Sequence, residues 1–104
     1  MVDLSPAQLE AVKRILAAHV PGCEVRAFGS RVTGAAKAYS DLDLAVVADR
    51  PLGLDVLGRL REAFEESELP IRVDLIEWGA TAEGFRRVIE ESYEILQAAA
   101  PARS

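Results

Sequence analysis

Three carboxylates stand in two segments that otherwise have the composition of buried strands. Asp41 and Asp43 flank Leu42 at the start of an apolar run, and Asp74 is embedded in the sequence Ile-Arg-Val-Asp-Leu-Ile. Side chains two residues apart in a strand project to the same side, so Asp41 and Asp43 repel each other unless a cation lies between them. Taken together, three carboxylates on two strands predict a site for hard divalent cations, which prefer oxygen ligands.

Each carboxylate taken singly also has a structural explanation. Asp41 could cap a turn, and Asp74 could pair with Arg72 or Arg26, which would offset the cost of desolvating a charge within an apolar strand. A phosphatase-type Asp-x-Asp motif is disfavoured, because such motifs follow an apolar strand and the sequence before Asp41 is Lys-Ala-Tyr-Ser. The sequence leaves the structural alternatives open for the individual residues, while the three carboxylates together favour metal binding.

A glycine–serine pair follows the first predicted strand, residues 23–28. Gly29 permits a sharp turn and lets a ligand approach the backbone closely. Ser30 opens a short helix, where free backbone N–H groups and the helix dipole favour a phosphate. Arg31 could contact that phosphate or form a structural salt bridge. Ten residues separate Ser30 from Asp41, so the second strand can return antiparallel beside the first and bring the turn to the carboxylates.

Three longer helices are predicted around these segments. The first has a capping box, Ser-Pro-Ala-Gln, with proline at its first position, and it ends at Pro21-Gly22. The second begins near Asp55, and the last carries an apolar stripe from Phe85 to Leu96. Between these helices the hydrophobic patterns predict three strands, over 23–28, 41–48 and 71–78. The order of elements is α-β-α-β-α-β-α.

Composition limits the chain to a few classes of protein. Its 104 residues (11.3 kDa) predict a single domain, 1–104, with an ordered core over about 5–97 and a frayed tail over 98–104. A net charge of −5 and a pI of about 4.8 make direct nucleic-acid binding unexpected. The single cysteine excludes an internal disulfide. Because the longest apolar run is five residues and no signal peptide is visible, we expect a cytoplasmic protein without a membrane span.

The spaced motif Gly-Ser-x10-Asp-x-Asp, followed by a later strand aspartate, resembles that of the nucleotidyltransferase superfamily that includes DNA polymerase β. More narrowly, the chain is similar to the minimal nucleotidyltransferases (MNT family), small stand-alone domains encoded beside a helical HEPN partner. The resemblance covers roughly residues 5–97. It is strongest in Ala-Phe-Gly-Ser-Arg-Val-Thr-Gly, Tyr-Ser-Asp-Leu-Asp-Leu-Ala and Arg-Val-Asp-Leu-Ile, and none of the five motif residues departs from the pattern.

This resemblance implies an α+β palm with a mixed sheet and flanking helices. It implies that Asp41 and Asp43 bind two Mg²⁺ ions, for which Mn²⁺ could substitute, and that Asp74 completes the catalytic metal's shell and helps to activate the nucleophile. Ser30 and the neighbouring backbone, with Gly29 and Arg31, would hold the phosphates of a nucleoside triphosphate. A hydroxyl would then attack the α-phosphorus and pyrophosphate would leave, the in-line displacement that two divalent ions can stabilise at both oxygens.

The resemblance also implies a partner. In such a toxin–antitoxin pair the MNT antitoxin transfers AMP from ATP to a tyrosine of the HEPN ribonuclease toxin. A 104-residue chain has no room for an acceptor-binding domain, so we expect a hetero-oligomer in which the partner supplies that surface, or a homo-oligomer. The alternative is a non-catalytic nucleotide-binding subunit that masks its helical partner. Three aligned carboxylates favour catalysis, because masking does not require them.

Overall fold

Helices and strands alternate along the chain in a computed structural model that describes residues 2–37 and 40–100. Ala38 and Tyr39, the second of which begins one of the motif segments, lie outside the described residues. The helices are α1 (Pro6–His19), α2 (Ser30–Thr33), α3 (Leu54–Glu66) and α4 (Glu83–Glu91). The strands are β1 (Glu24–Phe28), β2 (Leu42–Val47), β3 (Val73–Glu77) and β4 (Glu94–Gln97), and a single 3₁₀ turn, Trp78–Ala80, follows β3.

The described strands form one mixed sheet in the order β3-β2-β1-β4. β1 is antiparallel to both β2 and β4, whereas β2 and β3 are parallel. The predicted antiparallel return from β1 to β2 is therefore confirmed, and so is the α+β class with a mixed sheet. The parallel β2–β3 pair requires a crossover, which α3 provides.

The two faces of the sheet bury different sets of side chains. On one face, alternate residues of β1 and β2, among them Val25 and Leu44, pack with Leu16 of α1 and Leu60 of α3 in the main core. On the other face a smaller cluster contains Phe28, Ala45 and Ile89 of α4. The capping box predicted for α1 is present in full, with Ser5 as the N-cap residue. The face bearing α4 is only partly covered, and the motif carboxylates lie on that face.

The last predicted helix is present but shorter than predicted. The apolar stripe from Phe85 to Leu96 was assigned to one helix, but α4 ends at Glu91 and residues 94–97 form β4. The physical reason is the free edge of β1, whose backbone groups would lack partners in a three-stranded sheet. β4 satisfies them: Arg26 pairs with Ile95 and Ala27 with Glu94. Aromatic and β-branched residues around position 94 also favour a strand.

Two further features bear on the ends of the chain and on its helices. The N–H of Ala100 donates to the carbonyl oxygen of Gly22 at 3.0 Å, so the backbone beyond β4 is tied to the loop after α1. Residues 101–104, the rest of the predicted tail, lie outside the described residues. No helix in the described part of the chain is both long enough and apolar enough to cross a membrane.

Candidate active site

The sheet brings the three motif carboxylates to one place. Asp43 on β2 and Asp74 on β3 are direct register partners, and Asp41 immediately precedes β2. On the other side of β2, Phe28 at the end of β1 pairs with Asp43. The turn that follows Phe28 therefore meets the carboxylates, as the ten-residue spacing predicts.

Gly29 brings the backbone of the turn close to Asp43. Its backbone has φ +79° and ψ −158°, a region that is essentially restricted to glycine. A Cβ atom at this position would lie 2.3 Å from Oδ2 of Asp43. Gly29 is thus required both by its conformation and by its contact with Asp43. It is also the N-cap of α2, which begins at Ser30 as predicted and has no side-chain cap on its first turn.

Charge repulsion links the three carboxylates. Burial raises the pKa of Asp43 above its ordinary value, and the negative charges of Asp74 and Asp41 raise this pKa further. A divalent cation would relieve this repulsion, and an all-carboxylate oxygen donor set suits a hard ion such as Mg²⁺. Within residues 2–37 and 40–100, no three His, Cys, Asp or Glu side chains converge closely enough to hold one ion. The oxygen donors of these residues suit a divalent cation chemically, but fewer than three of them could ligate one ion in this arrangement, so further ligands such as phosphate oxygens would have to complete its coordination.

Asp74 has a weak counter-ion of its own. Nη2 of Arg72 lies 3.8 Å from Oδ1 of Asp74, and half or more of each side chain is exposed. Of the two partners considered from sequence, Arg72 is therefore the one present, while Arg26 pairs with Glu24 and stacks on Trp78 and Tyr93. An exposed pair at this distance contributes little to stability, so Asp74 can exchange Arg72 for another cation at small cost.

Arg31 lies in a different setting from the one expected of a phosphate ligand. It is 6% exposed. Its Nε donates to the carbonyl oxygen of Ser40 at 2.9 Å, and its Nη1 donates to that of Asp3 at 2.8 Å. The first bond connects α2 to the residue that directly precedes Asp41, and the second connects α2 to the N-terminal segment. The geometry supports a positioning role for Arg31, because the first bond holds the backbone next to Asp41.

An apolar cleft of about 410 Å³ opens beside Gly29 and Asp43. Phe28 and Phe85 both line the cleft and pack edge to face against each other, with ring centroids 5.8 Å apart and planes at 82°. Val88 of α4 also lines the cleft and is 58% exposed. The apolar stripe predicts Phe85 in the core, and the sequence does not predict this cleft. The one signal in the sequence is the apolar pair Phe85 and Val88 on the last helix, which are 44% and 58% exposed in the structure.

The nucleotidyltransferase domain family matches residues 9–96, a range that contains the turn and all three carboxylates. The chain belongs to this family. It is 50% identical over 96 residues to the "Probable protein adenylyltransferase MntA" of Haemophilus influenzae, covering 92% of this chain and 84% of that protein. The chain is therefore a nucleotidyltransferase, an enzyme of a family that generally uses divalent metal ions.

Solved structures share the fold of this nucleotidyltransferase. A crystal structure of a toxin–antitoxin with AMP-PNP superposes with a TM-score of 0.74 at 22% identity, covering 86% of this chain and 73% of that one. A tri-AMPylated HEPN toxin from Shewanella oneidensis in complex with an MNT antitoxin gives a TM-score of 0.61 at 18% identity, covering 88% and 71%. At these identities the likeness shows the fold, and it confirms the palm that the sequence resemblance implies.

Proposed function

We propose that this nucleotidyltransferase transfers AMP from ATP to a tyrosine hydroxyl of a HEPN-type partner protein, as the antitoxin of a toxin–antitoxin pair. The observation that carries the proposal is the contact of Gly29 with Asp43, whose register partner on the next strand is Asp74. This contact supports the proposal because it joins a turn suited to phosphate binding to a pair of carboxylates. The name of the 50%-identical relative and the HEPN toxin complex among the fold neighbours support the choice of AMP and of the partner.

In this proposal the residues around that contact bind the nucleotide. Ser30 and the uncapped first turn of α2 hold the β- and γ-phosphates, since free N–H groups at a helix start favour anions. Asp41, Asp43 and Asp74 hold two Mg²⁺ ions together with phosphate oxygens. When bound, the ions neutralise the charge that develops on the attacking and leaving oxygens. Arg31 contributes indirectly, by fixing the backbone at Ser40 beside Asp41.

The nucleoside occupies the cleft beside the Phe28–Phe85 pair. Its volume of about 410 Å³ and apolar walls suit a purine and its ribose. The cleft adjoins Asp43, so a nucleoside within it keeps its α-phosphate next to the carboxylates. Val88 extends the apolar wall toward solvent.

The transfer conserves atoms and charge. The acceptor oxygen forms a bond to the α-phosphorus, the bond from this phosphorus to the α–β bridging oxygen breaks, and pyrophosphate leaves. Asp74, half-exposed at the edge strand, accepts the hydroxyl proton directly or through water. The acceptor must be held in line with the α-phosphorus, so a bound partner raises the rate by positioning.

Mass spectrometry of the partner tests this proposal. Incubation with the chain, ATP and Mg²⁺ should add AMP to a partner tyrosine, and Asp41→Asn or Asp74→Asn should eliminate the adduct. The alternative function, masking of the partner by binding alone, predicts that the wild type and both variants neutralise the partner equally and that no adduct forms.

A further inference from the structure

A groove of about 270 Å³ lies between α3 and the outer edge of β3. Asp74 lines it at one side, next to Arg72, and Arg61 projects from α3 on the other side. Its floor includes the apolar side chains of Leu69 and Ile71. The groove is separate from the cleft beside Phe28 and Phe85. The groove lies on the β3 side of the central strand β2, and the cleft lies on the β1 side.

The order of the strands determines which side of the site the acceptor must approach from. The phosphate-binding turn follows β1, Asp43 is on the central strand β2, and Asp74 is on β3. In an in-line displacement the attacking and leaving oxygens lie on opposite sides of the phosphorus. Pyrophosphate departs toward the turn after β1, so the acceptor hydroxyl must come from the β3 side. The groove lined by Asp74 lies on that side.

The edge of β3 is suited to an extended segment. β3 is the terminal strand of the sheet, so no neighbouring strand among the described residues pairs with its outer backbone groups. An exposed edge of this kind can add a strand from another chain through main-chain hydrogen bonds, while side-chain pockets supply selectivity. The apolar floor at Leu69 and Ile71 offers such a pocket.

The charges at the groove indicate what that segment carries. Arg61 forms no ion pair with any residue that the structure describes, and Arg72 is held only by the exposed 3.8 Å contact with Asp74. Cation binding at Asp74 would release Arg72 from this contact. Two arginines would then face an incoming segment, opposed by Glu65 on α3. An acidic side chain next to the acceptor residue would form ion pairs with both arginines.

We propose that the acceptor binds as an extended peptide along the outer edge of β3, with its hydroxyl at Asp74 and an acidic side chain held by Arg61 and Arg72. The inference rests on the proposed function, since it takes the leaving group to lie at the turn after β1. It adds the side of approach, the conformation of the acceptor segment and its charge.

Backbone amide shifts measured by NMR on the isotope-labelled chain test this inference. The chain is first saturated with Mg²⁺ and an ATP analogue whose α–β bridge is a methylene group, and the shifts around Gly29, Ser30 and Asp43 report on the nucleotide. Two peptide probes are then titrated, a tyrosine flanked by glutamates and the same peptide with lysines. The glutamate peptide should shift the amides of residues 69–75, and the lysine peptide should not.

Variants identify the groups responsible. Arg61→Glu and Arg72→Glu should each lower the affinity for the glutamate peptide by about two- to fivefold, the equivalent of a surface charge pair. Arg59→Glu, an equal charge change at an exposed α3 residue outside the groove, should leave its affinity unchanged. Normal nucleotide shifts without peptide shifts at 69–75, or equal binding of both peptides, would overturn the inference and leave the proposed function standing. Absence of the nucleotide shifts would overturn both.

Discussion

Replacing Gly29 by alanine should damage both the fold and the nucleotide site. Its φ of +79° and ψ of −158° place it where a non-glycine residue costs about 1–3 kcal/mol. The new Cβ would also lie 2.3 Å from Oδ2 of Asp43, so the carboxylate must leave its present rotamer at a further cost of about 0.5–1.5 kcal/mol. The free energy of unfolding should therefore fall by about 1.5–4.5 kcal/mol.

Gly34→Ala provides the matched control. Gly34 ends the same short helix with φ +89°, and nothing lies within 4 Å of a Cβ built there. This variant should lose about 1–2 kcal/mol from backbone strain alone, with Mg-ATP affinity unchanged. Urea unfolding measures the stability of each variant, and isothermal titration measures its affinity for Mg-ATP.

A double-mutant cycle isolates the contact itself. In an Asp43→Ala background the carboxylate is absent, so Gly29→Ala should cost only its backbone strain. The difference between the cost of Gly29→Ala in the two backgrounds is the free energy of the clash between the new Cβ and the Asp43 carboxylate. Equal losses for Gly29→Ala and Gly34→Ala, together with wild-type ATP affinity in both, would refute the role assigned to this contact.

Three further predictions concern other residues of the site. Burial and the charges of Asp74 and Asp41 raise the pKa of Asp43, so this group's contribution to stability is fully present below its unfolded pKa and is lost as pH rises through its folded pKa. Urea unfolding across pH should show that Asp43→Asn removes this pH dependence and has a higher free energy of unfolding than the wild type at neutral pH. Isothermal titration should show that this variant no longer binds Mg-ATP. Arg31→Ala leaves the carbonyl oxygens of Ser40 and Asp3 without their charged donor, so the free energy of unfolding should fall by about 3 kcal/mol. An Arg31→Lys variant as stable as the wild type would contradict the positioning role. Phe85→Ala should weaken Mg-ATP by roughly two- to tenfold, whereas Leu54→Ala, a 90% exposed residue that does not line the cleft, should not change the affinity.

The site was predictable from sequence because its geometry follows from local spacing. Alternation along β2 fixes the face of Asp43, and the ten residues between Ser30 and Asp41 permit only a short return. The turn lies against β2 as this spacing predicts, whereas the pairing of Asp43 with Asp74 comes from the parallel register of β2 and β3, which the spacing does not give. The binding roles of these residues stay predictions until a ligand is measured.

What sequence reasoning missed depends on long-range contacts. β4 forms because β1 has a free edge, and a helical stripe in residues 85–96 carries no information about that edge. The role of Arg31 depends on backbone carbonyls at Asp3 and Ser40, which lie 28 and 9 residues away in sequence. Neither oxygen has a residue-type signature, so the sequence could not indicate these two hydrogen bonds, and phosphate contact by Arg31 stays a prediction.

The central claim is that the carboxylates and the turn catalyse nucleotidyl transfer to the partner. The most direct measurement compares ATP labelled at the α-phosphate with ATP labelled at the γ-phosphate, each incubated with the chain, its helical partner and Mg²⁺. Label from the α-position should appear on the partner, label from the γ-position should not, and Asp43→Asn should abolish incorporation. Label transferred from the γ-position, or α-label transfer that persists in Asp43→Asn, would contradict the account.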